Sequence, residues 1–230
     1  MTPDPRFKDP ETAPRLSSAT VKSEIDLLSK VLDVAQKEFG ITLPNGNPVA
    51  GVRKPKGSKA RERRLTPGEW TALETECRKS KNTWLLPAVL LSVETAMRQG
   101  ELLSLDWKNI DTTRSLALLL DPDKIKTAEP RAVPLSRAAM HVLDGLPKSI
   151  SGRVFPLTRM TLYKAFERAC ERAGIIDYTW HDLRHEALSR LAERGDLSVL
   201  EMAAVSGHKT LQMLKRYTHL QAENLAKKLG

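Results

Sequence analysis

The stretch from Thr179 to His219 reads TWHDLRHEALSRLAERGDLSVLEMAAVSGHKTLQMLKRYTH and contains four of the chain's five histidines. Its apolar residues recur at helical spacing, which predicts helices over about 181–194, 198–206 and 209–217. The stretch is also too rich in ionisable groups to be only a core. A functional interpretation must therefore explain which chemistry needs these four residues together: His181, Arg184, His208 and Tyr217.

The composition restricts the class of protein. The chain has 230 residues, 40% of them hydrophobic and 28% charged, as in ordinary soluble globular proteins. Its net charge of +9 indicates a polyanionic partner, with nucleic acid ahead of an anionic membrane. The longest apolar run is too short to span a membrane, and the polar, proline-rich N-terminus is not a secretory signal. The isolated Cys77 and Cys170 are typical of reduced thiols in a cytosolic protein.

Local signals predict a mainly α-helical fold with a small antiparallel β-sheet. Ser17 and Ser18 open a helix that Gly40 ends, and a capping box at Thr66-Pro67-Gly68-Glu69 opens a second helix, to about Arg78. Further helices are predicted at about 83–96, within MRQGELLSLDW, and at about 136–145 and 159–173. Two strands are predicted, Ser115–Leu120 and a second in KIKTAEPRAVPL through Ile125, Thr127 and Val133, joined by a turn at Asp121-Pro122-Asp123. A further short strand is predicted at Arg153–Pro156.

We predict four regions. These are an N-terminal arm with one helix (1–42), a basic linker (43–65), the main domain (66–220) and a tail helix (221–230). Glycine and proline exclude regular structure in the linker, and its cations face a single acid, Glu62. Such one-sided charge is typical either of a solvated linker or of a segment that follows DNA phosphates. The second interpretation, which we favour, makes these residues DNA-binding: Arg53, Lys54, Lys56, Lys59, Arg61, Arg63 and Arg64.

The motif HDLRH allows two kinds of site. His181 and Arg184 are three residues apart, so they share a helix face on which an arginine suits a phosphate or carboxylate. The motif also resembles the zinc signature HExxH, which would make the chain a metallohydrolase. The shorter Asp182, the nearby arginine and the absence of a third ligand at a familiar spacing count against zinc. His185 is then expected to be an inner, hydrogen-bonded histidine.

Tyr217 ends the predicted helix in KRYTH. A phenol with a pKa of about 10 is a poor nucleophile at neutral pH. It becomes useful where cations surround the anion that it attacks and a neighbour takes its proton. A phosphodiester would meet that need if it were flanked by Arg98, His181, Arg184 and His208.

With these motifs in order, the chain resembles the catalytic domain of the tyrosine recombinase, or phage integrase, family over residues 65–220. TAMRQGELLSLDW resembles the box with the first arginine, giving Arg98 and the supporting Glu101. KIKTAEPRAVPL resembles the hairpin that carries a lysine, for which Lys126 matches best and Lys124 stays an alternative. HDLRH resembles the second box and SGHKTLQMLKRYTH the last. The resemblance therefore implies six catalytic residues: Arg98, Lys126, His181, Arg184, His208 and Tyr217.

The resemblance implies site-specific DNA recombination through a 3′-phosphotyrosyl intermediate. Tyr217 would attack the phosphodiester, Arg98 and Arg184 would hold its oxygens, and His208 would donate to it. Lys126 would protonate the leaving 5′-oxygen and His181 would accept the tyrosine's proton. Neither ATP nor a metal is expected to be needed, so we expect no cofactor.

The resemblance also implies partners and a role. We expect double-stranded DNA, a homotetramer in the synaptic complex, a monomer or weak oligomer without DNA, and a bacterial or phage protein in the cytoplasm, associated with the nucleoid. Integration and excision of a mobile element is the favoured role, with inversion, resolution or a non-cleaving DNA-binding relative as alternatives. Residues 1–42 are shorter than the family's core-binding domain, so we expect that region to be truncated or naturally short. Leu225 and Leu229 of the tail would pack either on a neighbouring protomer or on their own domain.

Overall fold

The computed structural model describes residues 16–57, 61, 63–120, 130–221 and 229, with only the backbone described for 219–221. Its contacts divide the chain into two compact units, residues 1–61 and residues 62–230. The four regions predicted from the sequence, with boundaries at 42, 65 and 220, stay predictions. No helix in the described part of the chain is long and apolar enough to cross a membrane.

The first unit contains the helix α1, Ser18–Phe39, as predicted. The side chain of Ser17 accepts a hydrogen bond from the backbone N–H of Thr20, and Gly40 ends the helix in the left-handed conformation with a φ of 63°. The amide of Asn47 donates to the carboxylate of Asp33 at 2.7 Å, which ties the following loop to the helix. No described residue of α1 is fully buried.

The second unit contains seven α-helices among the described residues and one three-stranded antiparallel sheet of order β1-β2-β3. The predicted fold class is therefore confirmed. The helices are α2 (Pro67–Arg78), α3 (Leu85–Thr95), α4 (Gln99–Leu103), α5 (Arg137–Asp144), α6 (Arg159–Arg172), α7 (Trp180–Arg194) and α8 (Val199–Ser206). The strands are β1 (Ile110–Asp111), β2 (Leu116–Leu119) and β3 (Arg131–Pro134).

The capping box that begins α2 is present as predicted. Glu69 donates its backbone N–H to the Thr66 hydroxyl at 3.2 Å, and the Glu69 carboxylate accepts the N–H of Thr66 at 2.8 Å. Two orphan N–H groups are satisfied in this way, which fixes where the helix starts.

The core of the second unit surrounds α3, which is buried along most of its length between α5 and α7. Phe166 of α6 is fully buried and packs edge-on against Trp180, with ring centroids 5.1 Å apart. In the sheet, Ala117, Leu119 and Val133 are buried while alternate residues face away, as the two-residue period of a strand requires. The core thus fixes the ends of α3 and α7, from which the candidate site is built.

Two predicted elements were wrong. Arg153–Pro156 is not a strand: Arg153 forms a single bridge to Asp106, because Gly152, with a φ of 76°, turns the chain just before it. The predicted helix 209–217 is instead two 3₁₀ segments, Leu211–Met213 and Lys215–Gln221. Thr210 is still extended, and the Thr218 hydroxyl donates to the carbonyl of Lys215, three residues back, as suits the tighter helix.

Part of the predicted hairpin and tail lies outside the described residues. This holds for the turn Asp121–Asp123, for the strand residues Ile125 and Thr127, and for residues 222–228 with Leu225. Leu229 is described and exposed, and the packing predicted for the tail stays a prediction.

Candidate active site

Arg98 begins the site, at the N-cap of α4. Ala96, two residues before it, has a left-handed φ of 52°, which ends α3 and turns the chain into α4. The backbone N–H of Arg98 donates to the Glu101 carboxylate at 2.8 Å, and its guanidinium Nη1 donates to the same carboxylate at 2.7 Å. The side chain of Arg98 is therefore held in place by the residue predicted to support it.

Glu101 binds a second arginine that the sequence did not single out. Its side chain is 1% exposed, and Oε2 accepts a hydrogen bond from Nη2 of Arg131, on β3, at 2.8 Å. Burial acts to raise the pKa of Glu101, but Arg131 and Arg98 outweigh it and lower that pKa. The Nη1 of Arg131 also donates to the carbonyl of Val205, in α8, at 2.6 Å. One carboxylate thus joins α4 to β3, and Arg131 extends the connection to α8.

Gly207 follows α8 in a position that suits glycine. Its φ of 68° is left-handed, and a Cβ there would lie 2.7 Å from Nε of Arg131. Its carbonyl accepts a hydrogen bond from Nη2 of Arg98 at 3.3 Å. The close approach lets the turn before His208 pack directly on the two arginines.

Arg184 enters the same region from α7. It is 3% exposed, and its Nη1 donates to the carbonyl of Ala96 at the end of α3. Its Nη2 lies 3.3 Å from both ring nitrogens of His208. Burial and the neighbouring Arg98 lower the pKa of Arg184 to about 10, so its guanidinium stays charged at neutral pH. The structure therefore brings Arg98, Arg184 and His208 together.

His208 is neutral in this setting. Burial, Arg184 and Arg98 lower its pKa to about 4. Its Nδ1 lies 2.7 Å from the hydroxyl of Ser206, and that hydroxyl lies 2.7 Å from the carbonyl of Met202. Because the carbonyl can only accept, the hydroxyl proton goes to it, and Nδ1–H then donates to the Ser206 oxygen. Nε2 is left as the acceptor of the ring.

Tyr217 lies in the second 3₁₀ segment and is 5% exposed. Its ring packs in a small apolar cluster whose members include Ala187, Leu188, Met202 and Leu214. Its hydroxyl lies 2.6 Å from Nδ1 of His185. Burial raises the pKa of the phenol, so Tyr217 is protonated at neutral pH.

The tyrosine's hydroxyl thus contacts His185, whereas the family resemblance implies His181 as the proton acceptor. His185 is half-buried and hydrogen-bonded, which confirms the prediction of an inner histidine. His181 is exposed and lines a cleft with Arg98, Arg159 and Tyr163. The two imidazoles meet edge-on with centroids 5.1 Å apart. The role assigned to His181 stays a prediction.

Asp182 has a different use from the acid of a zinc helix. It is fully buried, and its Oδ2 accepts hydrogen bonds from the backbone N–H and the hydroxyl of Thr179, at 2.7 and 2.8 Å. The carboxylate therefore caps α7. Among the described residues, no group of three histidines, cysteines or acids is placed to hold a metal ion.

The basic residues predicted to bind DNA fall into different environments. Lys54 pairs with Asp26 at 2.7 Å, Arg63 pairs with Glu69, and Arg64 pairs with Glu186 at 3.2 Å and with Glu193. Arg53, Lys56 and Arg61 are exposed. Lys59 and the hairpin lysines Lys126 and Lys124 lie outside the described residues.

Sequence reasoning missed Arg131 and undervalued His185. Arg131 is in EPRAVP, in the segment for which the resemblance implies a lysine, and a lone arginine in a strand pattern indicates a buried partner. His185 was visible as the residue directly after Arg184 on α7. No local spacing links it to Tyr217, which is 32 residues away.

Comparison with known protein families matches most of the chain to one family. The family model described as "Phage integrase family" matches residues 63–224. The shufflon-specific DNA recombinase of Escherichia coli is 44% identical over 221 residues, which are 96% of this chain and 56% of that protein. The chain thus spans little more than half the length of this relative.

Two solved structures of lambda integrase are similar as well. One is a dimer bound to a COC′ core site, with 29% identity and a TM-score of 0.69 over 87% of this chain and 73% of that one. The other is a tetramer bound to a Holliday junction, with 27% identity and a TM-score of 0.65 over 84% of this chain and 59% of that one.

The two neutral histidines predict how stability depends on pH. His185 and His208 each have a pKa of about 4 in the folded chain, against 6.5 ordinarily. The unfolded chain therefore binds protons first, so the free energy of unfolding should fall as the pH drops from about 6.5 towards 4. We expect each histidine to contribute about 1–2 kcal/mol to the loss between pH 7 and 5.

Urea unfolding at pH 7 and pH 5 measures this loss. His185→Gln and His208→Gln should each reduce it, whereas His141→Gln, at an exposed position on α5, should leave it unchanged. Equal losses in all three variants and in the original chain would contradict the burial of neutral imidazoles.

Proposed function

The chain belongs to the phage integrase family, and we propose that it cleaves and rejoins DNA strands through a covalent 3′-phosphotyrosyl intermediate. The observation that carries the proposal is the convergence of Arg98 and Arg184 beside His208. Glu101, the carboxylate at this place, is shared between Arg98 and Arg131. The carboxylate pairs with two of the three guanidinium groups there, and Arg184 adds a third positive charge. This excess of positive charge suits a phosphodiester.

In the proposed reaction Tyr217 attacks phosphorus and the 5′-oxygen of the following nucleotide leaves. Arg98 and Arg184 hold the non-bridging oxygens, on which charge builds in the transition state. Each such preorganised donor is worth roughly 10²–10³ in rate. Their positions are set before DNA binds, because Glu101 holds Arg98 and the carbonyl of Ala96 holds Arg184.

His208 would gain its role through the phosphate. Its pKa is lowered by burial and by three neighbouring arginines, and a bound phosphate would offset the arginine charge. The imidazole could then take up a proton and donate through Nε2 while Nδ1–H stays on Ser206. Lys126 is proposed as the acid for the leaving oxygen, with Lys124 as the alternative.

We propose double-stranded DNA as the substrate, a homotetramer as the recombining assembly, and a monomer or weak oligomer in the absence of DNA. The similar lambda integrase structures support the substrate and the tetramer, since one is a dimer bound to a core site and one a tetramer bound to a Holliday junction. We propose that the exposed cations Arg53, Lys56 and Arg61 contact DNA phosphates. Arg63 and Arg64 chiefly bind acids of their own unit. No cofactor is proposed, and the place of action is the DNA-containing cytoplasm of a bacterium.

Two biological roles are open to the same chemistry. Integration and excision of a mobile element is supported by the similarity to lambda integrase. DNA inversion is supported by the 44% identity to a shufflon-specific recombinase, and this higher identity makes inversion the stronger candidate.

Trapping of a covalent adduct tests the proposed chemistry. The substrate is a pool of 5′-labelled duplexes with a random central segment, nicked so that the leaving fragment diffuses away. In EDTA the chain should become labelled on a denaturing gel, and sequencing of the bound strands would give the site. Tyr217→Phe should give no adduct, and Arg184→Ala should form it about 10²-fold more slowly or worse.

Tyr178→Phe is the matched control, because its buried hydroxyl has no hydrogen-bond partner among the described residues and its ring packs against Phe166 of α6. It should label like the original chain. Labelling of Tyr217→Phe would refute the assignment of the nucleophile.

The salt dependence of DNA binding tests the basic segment. Replacing Arg53 and Lys56 by glutamine should weaken binding to all sequences and reduce the slope of log K against log salt by about two, one for each lost phosphate contact. Lys108→Gln with Arg114→Gln removes the same charge from exposed positions elsewhere and should change the slope less. A slope for the Arg53 and Lys56 double variant equal to that of the original chain would show that residues 53 and 56 do not contact DNA.

A further inference from the structure

Resting on the proposed strand transfer, we propose that His185 is a catalytic residue that accepts the proton of Tyr217 during its attack on phosphorus. The assignment starts from the 2.6 Å contact between Nδ1 of His185 and the tyrosine hydroxyl. A nucleophile and a base within hydrogen-bond reach of each other are the arrangement that activates a weak nucleophile.

The protonation states give this contact its direction. Burial raises the pKa of the Tyr217 phenol, so the phenol keeps its proton at neutral pH. Burial lowers the pKa of His185 to about 4, with His181, Arg216 and Arg184 acting in the same sense and Asp182 opposing them. The phenol therefore donates, and Nδ1 of a neutral imidazole accepts.

The geometry is that of an edge-to-edge hydrogen bond. The two rings are tilted by 33° and their centroids are 6.4 Å apart, so their polar ends meet without stacking of the rings. Both partners are fixed by packing. His185 lies on α7 directly after the buried Arg184, and Tyr217 packs against Ala187 and Leu188 of the same helix. The proposed base thus lies on α7, the helix that also carries Arg184, one of the two arginines proposed to hold the phosphate.

His181 and His185 have different surroundings, and these favour His185 as the proton acceptor. His181 is exposed in the cleft beside Arg98, where a phosphate or solvent is accessible. His185 is half-buried and holds the hydroxyl itself. Its edge-on neighbour His181 adds positive charge when protonated and so opposes early protonation of the base.

The step is balanced in atoms and charge. A bond forms between the Tyr217 oxygen and phosphorus while the O–H bond breaks and its proton passes to Nδ1. The bond from phosphorus to the 5′-oxygen breaks, and that oxygen takes its proton from the acid proposed as Lys126 or from water. When the strands rejoin, the imidazolium returns the proton to the departing phenolate.

The test separates a base from a group that only holds the tyrosine. His185→Gln can still accept a hydrogen bond but cannot take up a proton, whereas His185→Ala loses both abilities. We expect single-turnover adduct formation to slow by about 10²-fold or more in both variants. Circular dichroism and DNA binding show whether each variant is folded, and His141→Gln, at an exposed position, should react like the original chain.

A second substrate shows whether His185 acts on the attacking tyrosine or on the leaving 5′-oxygen. In a duplex with sulfur in place of the bridging 5′-oxygen, the leaving group needs no acid. Lys126→Ala should regain its rate on this substrate, and the His185 variants should stay slow. Normal rates for His185→Gln, or rescue of the His185 variants by sulfur, would overturn the assignment. No adduct from the original chain on either substrate would instead refute the proposed function, and with it the premise of the inference.

Discussion

The buried carboxylate of Glu101 is the constraint on which the candidate site depends. It accepts hydrogen bonds from the guanidinium groups of Arg98 and Arg131, and Arg131 also binds the carbonyl of Val205 at the end of α8. Removing one partner from a buried, charged arrangement of this kind is costly, since it leaves an uncompensated charge. The carboxylate therefore fixes α4, β3 and the turn before His208 relative to one another.

Arg184 depends on a second fixed point, the end of α3. The left-handed Ala96 presents its carbonyl to Arg184, and the apolar packing of α3 against α7 sets the distance. With Arg98 and Arg184 held separately, the proposed binding of a phosphate would need little reorganisation, which is how preorganised donors gain their effect. The same α7 carries His185 and the surface that buries Tyr217. The proposed phosphate-binding arginine and the proposed base of the nucleophile thus lie on one helix.

Much of the fold could be predicted from local signals. The caps at Ser17, Gly40 and Thr66 gave the ends of α1 and the start of α2, because capping chemistry depends on residues a few positions apart. The arginines and histidines of the site were found from their motifs and from a family resemblance. The 3₁₀ segments after Thr210 were missed because an apolar period near 3.6 does not distinguish a continuous helix from shorter turns.

The contacts that join distant segments could not be predicted in the same way. Arg131 lies 30 residues from Glu101, and His185 lies 32 residues from Tyr217. Such pairs are selected by tertiary packing, and nothing in the spacing of either motif shows which of two histidines will meet the phenol. The sequence supplied the types of residue, and the packing of α7 against the 3₁₀ segment supplied the choice between them.

In the reaction that we propose, the hydroxyl oxygen of Tyr217 forms the covalent bond to the DNA phosphate. Peptide mapping by mass spectrometry of a protease-digested, nuclease-trimmed adduct tests it most directly. We predict a nucleotide 3′-phosphoryl group on the peptide that contains Tyr217, with fragment ions placing it on that side chain. A nucleotide on another residue, such as Ser206 or His208, would contradict the account.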